Sequence, residues 1–165
     1  DGMPYTGFLY AGLMVAPDGS LKVLEFNCRF GDPETQPIML RLQSDLPSLC
    51  LAALEGRLHE AEAKWDPRPA LGVVMAAGGY PFDYVKGEVI SGLPEGETEN
   101  AKVFHAGTAL ADGQAVTAGG RVLCVTALGD TIAEAQQRAY ALAERIHWDQ
   151  AFFRRDIGHR AIRRS

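Results

Sequence analysis

At 165 residues the chain is long enough for one ordinary domain with a real core, or for two small pieces. Its 47% apolar and 22% charged content exclude a disordered chain, and a formal charge of −5 argues against nucleic-acid binding through a broad basic face. No apolar run approaches the ~20 residues that span a bilayer, and the opening Asp1-Gly2-Met3-Pro4 is not a basic, apolar leader. The expectation is a cytoplasmic protein with neither membrane nor nucleic acid as partner.

Two strand-like runs come first, Thr6 to Val15 and Lys22 to Phe30. Asp18-Gly19 in the short connection between them signals a hairpin, so the runs should pair antiparallel. The chain already reads as strand at residues 5–10 and has no initiator Met, which suggests part of a longer polypeptide. Pro37 cannot sit deep in a helix begun at Pro33, so residues 32–34 read as a turn. Thr35 then caps a helix from Gln36, with Ile38, Met39 and Leu42 as its apolar stripe. A second short helix follows Asp45, with Pro47 in its first turn and Gly56 near its stop. Glu60 to Pro69 is charged, carries two prolines and lacks apolar periodicity, and the main boundary is expected there, dividing residues 1–63 from 64–165.

Beyond it lie three strand-like runs separated by Gly-rich turns: Leu71 to Ala77, Val103 to Ala111 and Arg121 to Leu128. The clearest helix is Thr131 to Ile146. Thr131 and Glu134 form a capping box, and Ile132, Ala135, Ala139, Leu142, Ala143 and Ile146 make one apolar face. The second piece is thus a small, mostly β module with one main helix, and the whole chain is α+β.

The chemistry concentrates in the second strand. Alternation puts Glu25, Asn27 and Arg29 on one face and Leu24, Phe26 and Cys28 on the other. A carboxylate and an amide oxygen about 6.6 Å apart along a strand can converge on one hard cation. Mg²⁺ is usually held by one or two protein oxygens plus substrate phosphates, so this pair suffices. Arg29 would offer its planar fork to a phosphate oxygen. A polar solvent face on an amphipathic strand is the competing reading. The Gly31-Asp32-Pro33-Glu34 turn shifts the balance, because functional residues gather at strand ends.

Other candidates are weaker. Gly78-Gly79-Tyr80-Pro81 lacks the lysine of a P-loop and the spacing of a dinucleotide fingerprint, so a tight turn is the simpler reading, and Gly119-Gly120 is weaker still. Cys28, Cys50 and Cys124 read as buried free thiols, and the four histidines are too scattered for a zinc site. Arg154, Arg155, Arg160, Arg163 and Arg164 read as a solvated basic end, and Trp65, Trp148, Phe152 and Phe153 as packing residues. No nucleophile constellation is present.

The strings Tyr5–Met14 and Glu25–Gln36 closely resemble the phosphoribosylamine–glycine ligase (glycinamide ribonucleotide synthetase) family. The similarity continues through Leu71–Pro81, Val103–Thr108 and Gly119–Ala127, ending in Asp156-Ile157-Gly158. The resemblance implies the last part of an ATP-grasp domain, antiparallel strands plus helices, followed by the carboxy-terminal domain. It implies a ligase of de novo purine synthesis that joins glycine to 5-phosphoribosylamine, with ATP going to ADP and phosphate through a glycyl phosphate. On this resemblance Glu25 and Asn27 bind Mg²⁺ or Mn²⁺, and Arg29 meets nucleotide phosphate. Gly31, Asp32, Pro33 and Glu34 border the amino-acid and phosphoribosylamine pockets. Two departures stand out: the preceding strand, residues 10–14, has no acid, and family chains are more than twice this length. The remaining domains of the same polypeptide are therefore an expected partner, and the isolated chain is expected to lack activity. Another ATP-grasp carboxylate–amine ligase, or a non-catalytic interaction module, is the alternative.

Overall fold

The computed structural model describes residues 2–96 and 98–163; Asp1 of the opening and Arg164 of the basic tail lie outside them. The described residues pack as two compact units, Asp1–Thr35 with Leu42–Trp65, and Gln36–Arg41 with Asp66–Ser165.

In the first unit, β1 (Tyr10–Val15) and β2 (Leu21–Asn27) form the expected antiparallel hairpin. Its turn is tied by Asp18 Oδ1, which accepts from the Ser20 amide at 3.0 Å. Both strands are shorter than the sequence suggests. Residues 6–9 do not pair, and Phe8 instead stacks on Phe30 with ring centroids 3.9 Å apart. The ladder also slips: Gly12 faces Glu25 but Leu13 faces Val23, so Leu24 is an extra, bulged residue. Apolar side chains are exposed on the hairpin, Leu24 by 65% and Phe26 by 59%. Cys28 is exposed and Cys50 half-buried, so only Cys124 is the buried thiol that its apolar neighbours suggest.

Helix α1 (Thr35–Arg41) begins one residue before the expected start, because Thr35 does not cap it. Its hydroxyl instead donates back to the Gly31 carbonyl. Helix α2 (Leu46–Leu54) has the expected cap: Asp45 accepts from the Ser48 amide at 2.9 Å, with Pro47 in the first turn. Bonds from the Ser48 hydroxyl and amide hold the Asp45 carboxyl below its ordinary range. A 3₁₀ turn, Leu58–Glu60, and the Leu42–Trp65 bridge complete this unit.

The second unit is built on a four-stranded antiparallel sheet in the order β4 (Ala101–His105), β7 (Arg121–Leu128), β3 (Ala70–Ala76), β8 (Phe152–Phe153). Every residue of β7 from Val122 to Leu128 is buried, which explains why all of them but Thr126 are apolar. Helix α3 (Ile132–Ala143) contributes Ala135 and Ala139 to a core with Leu71, Val73 and Ala127, and Ala143 to one with Met75, Val122 and Val125. Methyl side chains at these positions let helix and sheet approach closely. Thr131 Oγ1 accepts from the Glu134 amide at 3.2 Å, while Glu134 reaches back to the Asp130 amide at 2.8 Å.

The run Val103 to Ala111 is not one strand. It breaks at Ala106-Gly107, where β4 ends and β5 (Thr108–Ala111) leaves to pair with β6 (Gln114–Thr117). Pro37 belongs to this unit because Gly72 of β3 leaves room for it: a Cβ at Gly72 would lie 3.2 Å from Pro37 Cγ. The charged connector ends in a clasp. Arg68 Nε and Nη2 bond Asp66 Oδ1 and Oδ2 at 3.0 and 2.7 Å, while Arg41 donates to the Asp66 carbonyl at 3.0 Å. The Arg68 side chain and amide together hold the Asp66 carboxyl down to about 2.

Trp148 is buried with its indole N–H unpartnered, whereas Trp65 and Phe152 stay nearly half exposed. In the tail, Arg154 pairs with Asp156 and Arg155 with Glu144, as a solvated basic end should. Among the described residues no helix is long and apolar enough to cross a membrane.

Candidate functional site

Register decides which side chains share a face of the hairpin. Residues directly opposite in an antiparallel pair point the same way. Glu25 faces Gly12 and Asn27 faces Tyr10, and the ideal Cβ position at Gly12 lies 3.6 Å from the Tyr10 ring. Tyr10, Gly12, Glu25 and Asn27 therefore line one face. The Leu24 bulge falls before Glu25, so the pleat from Glu25 to Asn27 is undisturbed.

Gly12 is a residue that sequence reasoning missed. Its missing side chain is occupied by Glu25, whose Cγ lies 3.1 Å from where a Cβ would be. The signal was present as the absence of an acid at residues 10–14. What the facing strand contributes instead is space.

Glu25 is exposed and Asn27 is half-buried, with its Nδ2 buried and without a hydrogen-bond partner. An N–H donor left in this way completes its bonding to an acceptor oxygen of a ligand or water, while the amide oxygen is the atom that can meet a cation. A hard cation takes oxygen donors, and Glu25 and Asn27 supply a carboxylate and an amide oxygen two residues apart on one face. The donor set fits a divalent ion that takes its other ligands from phosphate and water. Among the described residues, no group of three or more His, Cys, Asp and Glu offers a cage built from protein alone.

Arg29 lies past the end of β2, so the strand's alternation does not govern where it points. Its Nη1 donates to the Phe30 carbonyl at 2.7 Å and the side chain is otherwise solvent-exposed. In the following turn Gly31 is buried, and a Cβ there would come within 2.3 Å of the Glu34 carboxylate. Glu34 thus folds back over its own turn. The Thr35 amide closes the turn on the Gly31 carbonyl at 3.2 Å, and Asp32 and Pro33 stay exposed. The first unit therefore brings Glu25 and Asn27 together, with Arg29 and residues 31–34 following directly at the strand end.

Comparison with known proteins gives a consistent picture. The model of the phosphoribosylglycinamide synthetase C domain matches residues 70–160, and that of the same enzyme's ATP-grasp (A) domain matches residues 1–35. A phosphoribosylamine–glycine ligase of Vibrio cholerae serotype O1 is 67% identical over 165 residues, and one of Escherichia coli O157:H7 is 69% identical over 166. Both alignments cover 100% of this chain but 38% and 39% of those proteins, so the chain spans well under half the length of the relatives it matches. The crystal structure of phosphoribosylamine–glycine ligase from Thermotoga maritima superposes with a TM-score of 0.75 at 41% identity, over 94% of this chain and 38% of that one.

Proposed function

The chain belongs to the phosphoribosylglycinamide synthetase family, and on that premise we propose that it supplies the metal-holding strand and carboxy-terminal domain of an ATP-dependent ligase. The reaction joins glycine to 5-phosphoribosylamine through a glycyl phosphate, giving glycinamide ribonucleotide, ADP and phosphate. The observation that carries this reading is the face shared by Glu25 and Asn27, with Gly12 leaving room for the carboxylate.

Glycine's carboxylate is a poor acylating group until it is phosphorylated, and bringing two anions together is the main electrostatic obstacle. Glu25 and Asn27 would hold Mg²⁺ or Mn²⁺. Such an ion, when bound, neutralises charge on the transferring phosphoryl group. Arg29 binds a phosphate oxygen with its guanidinium and adds a fixed positive charge beside the strand end. Gly31, Asp32, Pro33 and Glu34 form the wall next to the amino-acid and phosphoribosylamine pockets. The amine attacks the acyl phosphate directly, so no protein nucleophile is required.

The test is Glu25→Gln in a ligase chain of the relatives' full length that carries this segment. The expected result is weaker metal–nucleotide binding and slower turnover, with the folded state intact by circular dichroism. A normal rate with unchanged Mg²⁺ dependence removes Glu25 from this role. The 165-residue chain alone is expected to form no glycinamide ribonucleotide from ATP, glycine and phosphoribosylamine.

A further inference from the structure

We propose that Tyr10 is a positioning residue for the Glu25–Asn27 pair, its ring restricting both side chains before any ion arrives. Burial on the hairpin is confined to the surroundings of this pair. Gly12 is buried, Tyr10 and Asn27 are half-buried, and every other residue of β1 and β2 is exposed, Leu13, Val23 and Phe26 included. A hairpin with one solvated face ordinarily shelters its apolar residues and leaves the polar ones in water. This one shelters the face that carries the amide.

The register puts Tyr10 beside both members of the pair. It faces Asn27 directly across the ladder, and along its own strand it shares the space over Gly12 with Glu25. The ring's Cε1 and the Glu25 Cγ lie 3.6 and 3.1 Å from one point, the ideal Cβ position of Gly12. The stem of the carboxylate and the edge of the ring therefore close over the same glycine. Cβ atoms of directly opposite residues stand about 4.5–5.5 Å apart, so a ring at residue 10 also screens a side chain at residue 27. There Nδ2, and not Oδ1, is the buried atom without a partner. With its nitrogen turned inward, the amide has its oxygen as the end left for a cation.

An exposed glutamate loses rotamer freedom when it takes up an ion, and that loss weakens the bound state. A ring that already restricts the stem moves the cost into folding, so the ion meets donors close to their final places. The facing strand carries no acid at residues 10–14, so a two-donor set gains most from such restriction. What β1 supplies to the site is thus a gap at Gly12 and a wall at Tyr10. That the positioned ligand is a divalent ion rests on the ligase reading above; the packing of Tyr10 rests on these residues alone.

Two measurements test this. In the 165-residue chain, hydrogen exchange of the Asn27 side-chain amide is followed by NMR. Tyr10→Ala should speed it by about tenfold or more, and Tyr10→Phe should keep it slow, because the ring and not the hydroxyl does the covering. In a full-length ligase, Tyr10→Ala should raise the Mg²⁺ concentration for half-maximal rate by about tenfold, the scale of one charged contact. Saturating Mg²⁺ should restore kcat, KM for glycine should stay unchanged, and Tyr10→Phe should return the Mg²⁺ requirement to normal. Tyr10→Leu, apolar without a ring, should shift both readings the same way and replaces the alanine variant if that hairpin does not form. Met14→Ala, exposed on the same strand, should move neither reading. Unchanged Asn27 exchange or an unchanged Mg²⁺ requirement in Tyr10→Ala overturns the proposal. A loss of kcat that no Mg²⁺ restores, or an equal effect of Met14→Ala, reduces Tyr10 to general support of the hairpin and overturns it too. A Tyr10→Phe defect as large as that of Tyr10→Ala transfers the role to the hydroxyl, with the same consequence. Absent turnover in the unmutated full-length chain sinks the ligase reading instead, and Asn27 exchange that is slow only with a ring at residue 10 then still upholds the packing.

Discussion

Glu25 lies directly across the hairpin from Gly12, and its Cγ is only 3.1 Å from where a Cβ at residue 12 would stand. The carboxylate's position therefore depends on the facing strand having no side chain there. Gly12→Ala needs a shift of a few tenths of an ångström. Gly12→Val adds two more methyl groups and must push Glu25 aside. In a full-length ligase, Gly12→Val is expected to lower metal–nucleotide affinity by about tenfold, the scale of losing one charged contact. Calorimetric titration with Mg-nucleotide checks this; equal affinity for wild type and the valine variant means that Glu25 does not depend on that gap.

The Asp66–Arg68 clasp predicts an acid-limb signature in stability. The Asp66 carboxyl has an ordinary value of 3.8 and is held down to about 2 by the Arg68 side chain and amide. A carboxyl depressed on folding contributes stability that is fully present above its unfolded value and fades as pH falls toward the folded one. Thermal unfolding followed from pH 5 to pH 2 should thus lose part of its stability between roughly pH 4 and pH 2. Asp66→Asn should start lower at pH 5 and fall less steeply. Parallel curves for the two proteins would show that another carboxyl governs that limb.

Much of this architecture was legible because local chemistry and tertiary packing agree. Asp45 with Pro47, and Thr131 with Glu134, announce their helices through caps that the structure contains. Arg121–Leu128 reads as a strand because every residue after Arg121 except Thr126 is apolar, and it lies centrally with Val122 to Leu128 all buried. What alternation could not reveal was the Leu24 bulge, since an inserted residue leaves the same letters in the same order. Nor could it show that β2 stops at Asn27, where the Phe8–Phe30 stack replaces further ladder bonds. The face shared by Glu25 and Asn27 was readable because both precede that break. The meeting of Ala77 with Gly120, and of Gly107 with Gly119 and Arg121, was not, because it arises from strand order, which no short motif encodes.

Stability should be carried unequally by apolar side chains of the same type. Met75 is fully buried between β7 and α3, whereas Met14 on the hairpin is 55% exposed. Met75→Ala is expected to destabilise the second unit by about 2–5 kcal/mol, through lost transfer energy and the cavity left behind. Met14→Ala should change the isolated chain by no more than roughly 0.5 kcal/mol. Urea unfolding of the two variants measures both, and a Met14→Ala cost matching that of Met75→Ala would place the hairpin inside a packed core.

Two glycines of almost equal backbone geometry separate conformational strain from steric conflict. Gly92 and Gly113 have φ of +75° and +77°, so alanine at either meets the same left-handed penalty, about 1–2 kcal/mol. Gly113 follows Asp112 at the tip of the β5–β6 hairpin, and a Cβ there meets nothing within 4 Å. At Gly92 a Cβ would stand 1.8 Å from the Arg145 carbonyl oxygen, which is backbone and cannot rotate away. That carbonyl is held nearby because the Ser91 and His147 amides and carbonyls exchange bonds at 2.8 and 3.0 Å. Gly92→Ala must therefore break this bridge as well as accept the strain. It should lower the melting temperature clearly more than Gly113→Ala, and hydrogen exchange at the Ser91 and His147 amides should accelerate only in the Gly92 variant. Equal melting temperatures with both amides still protected would mean that the segment after α3 can retreat without cost, and that the bridge at Ser91 does not hold it.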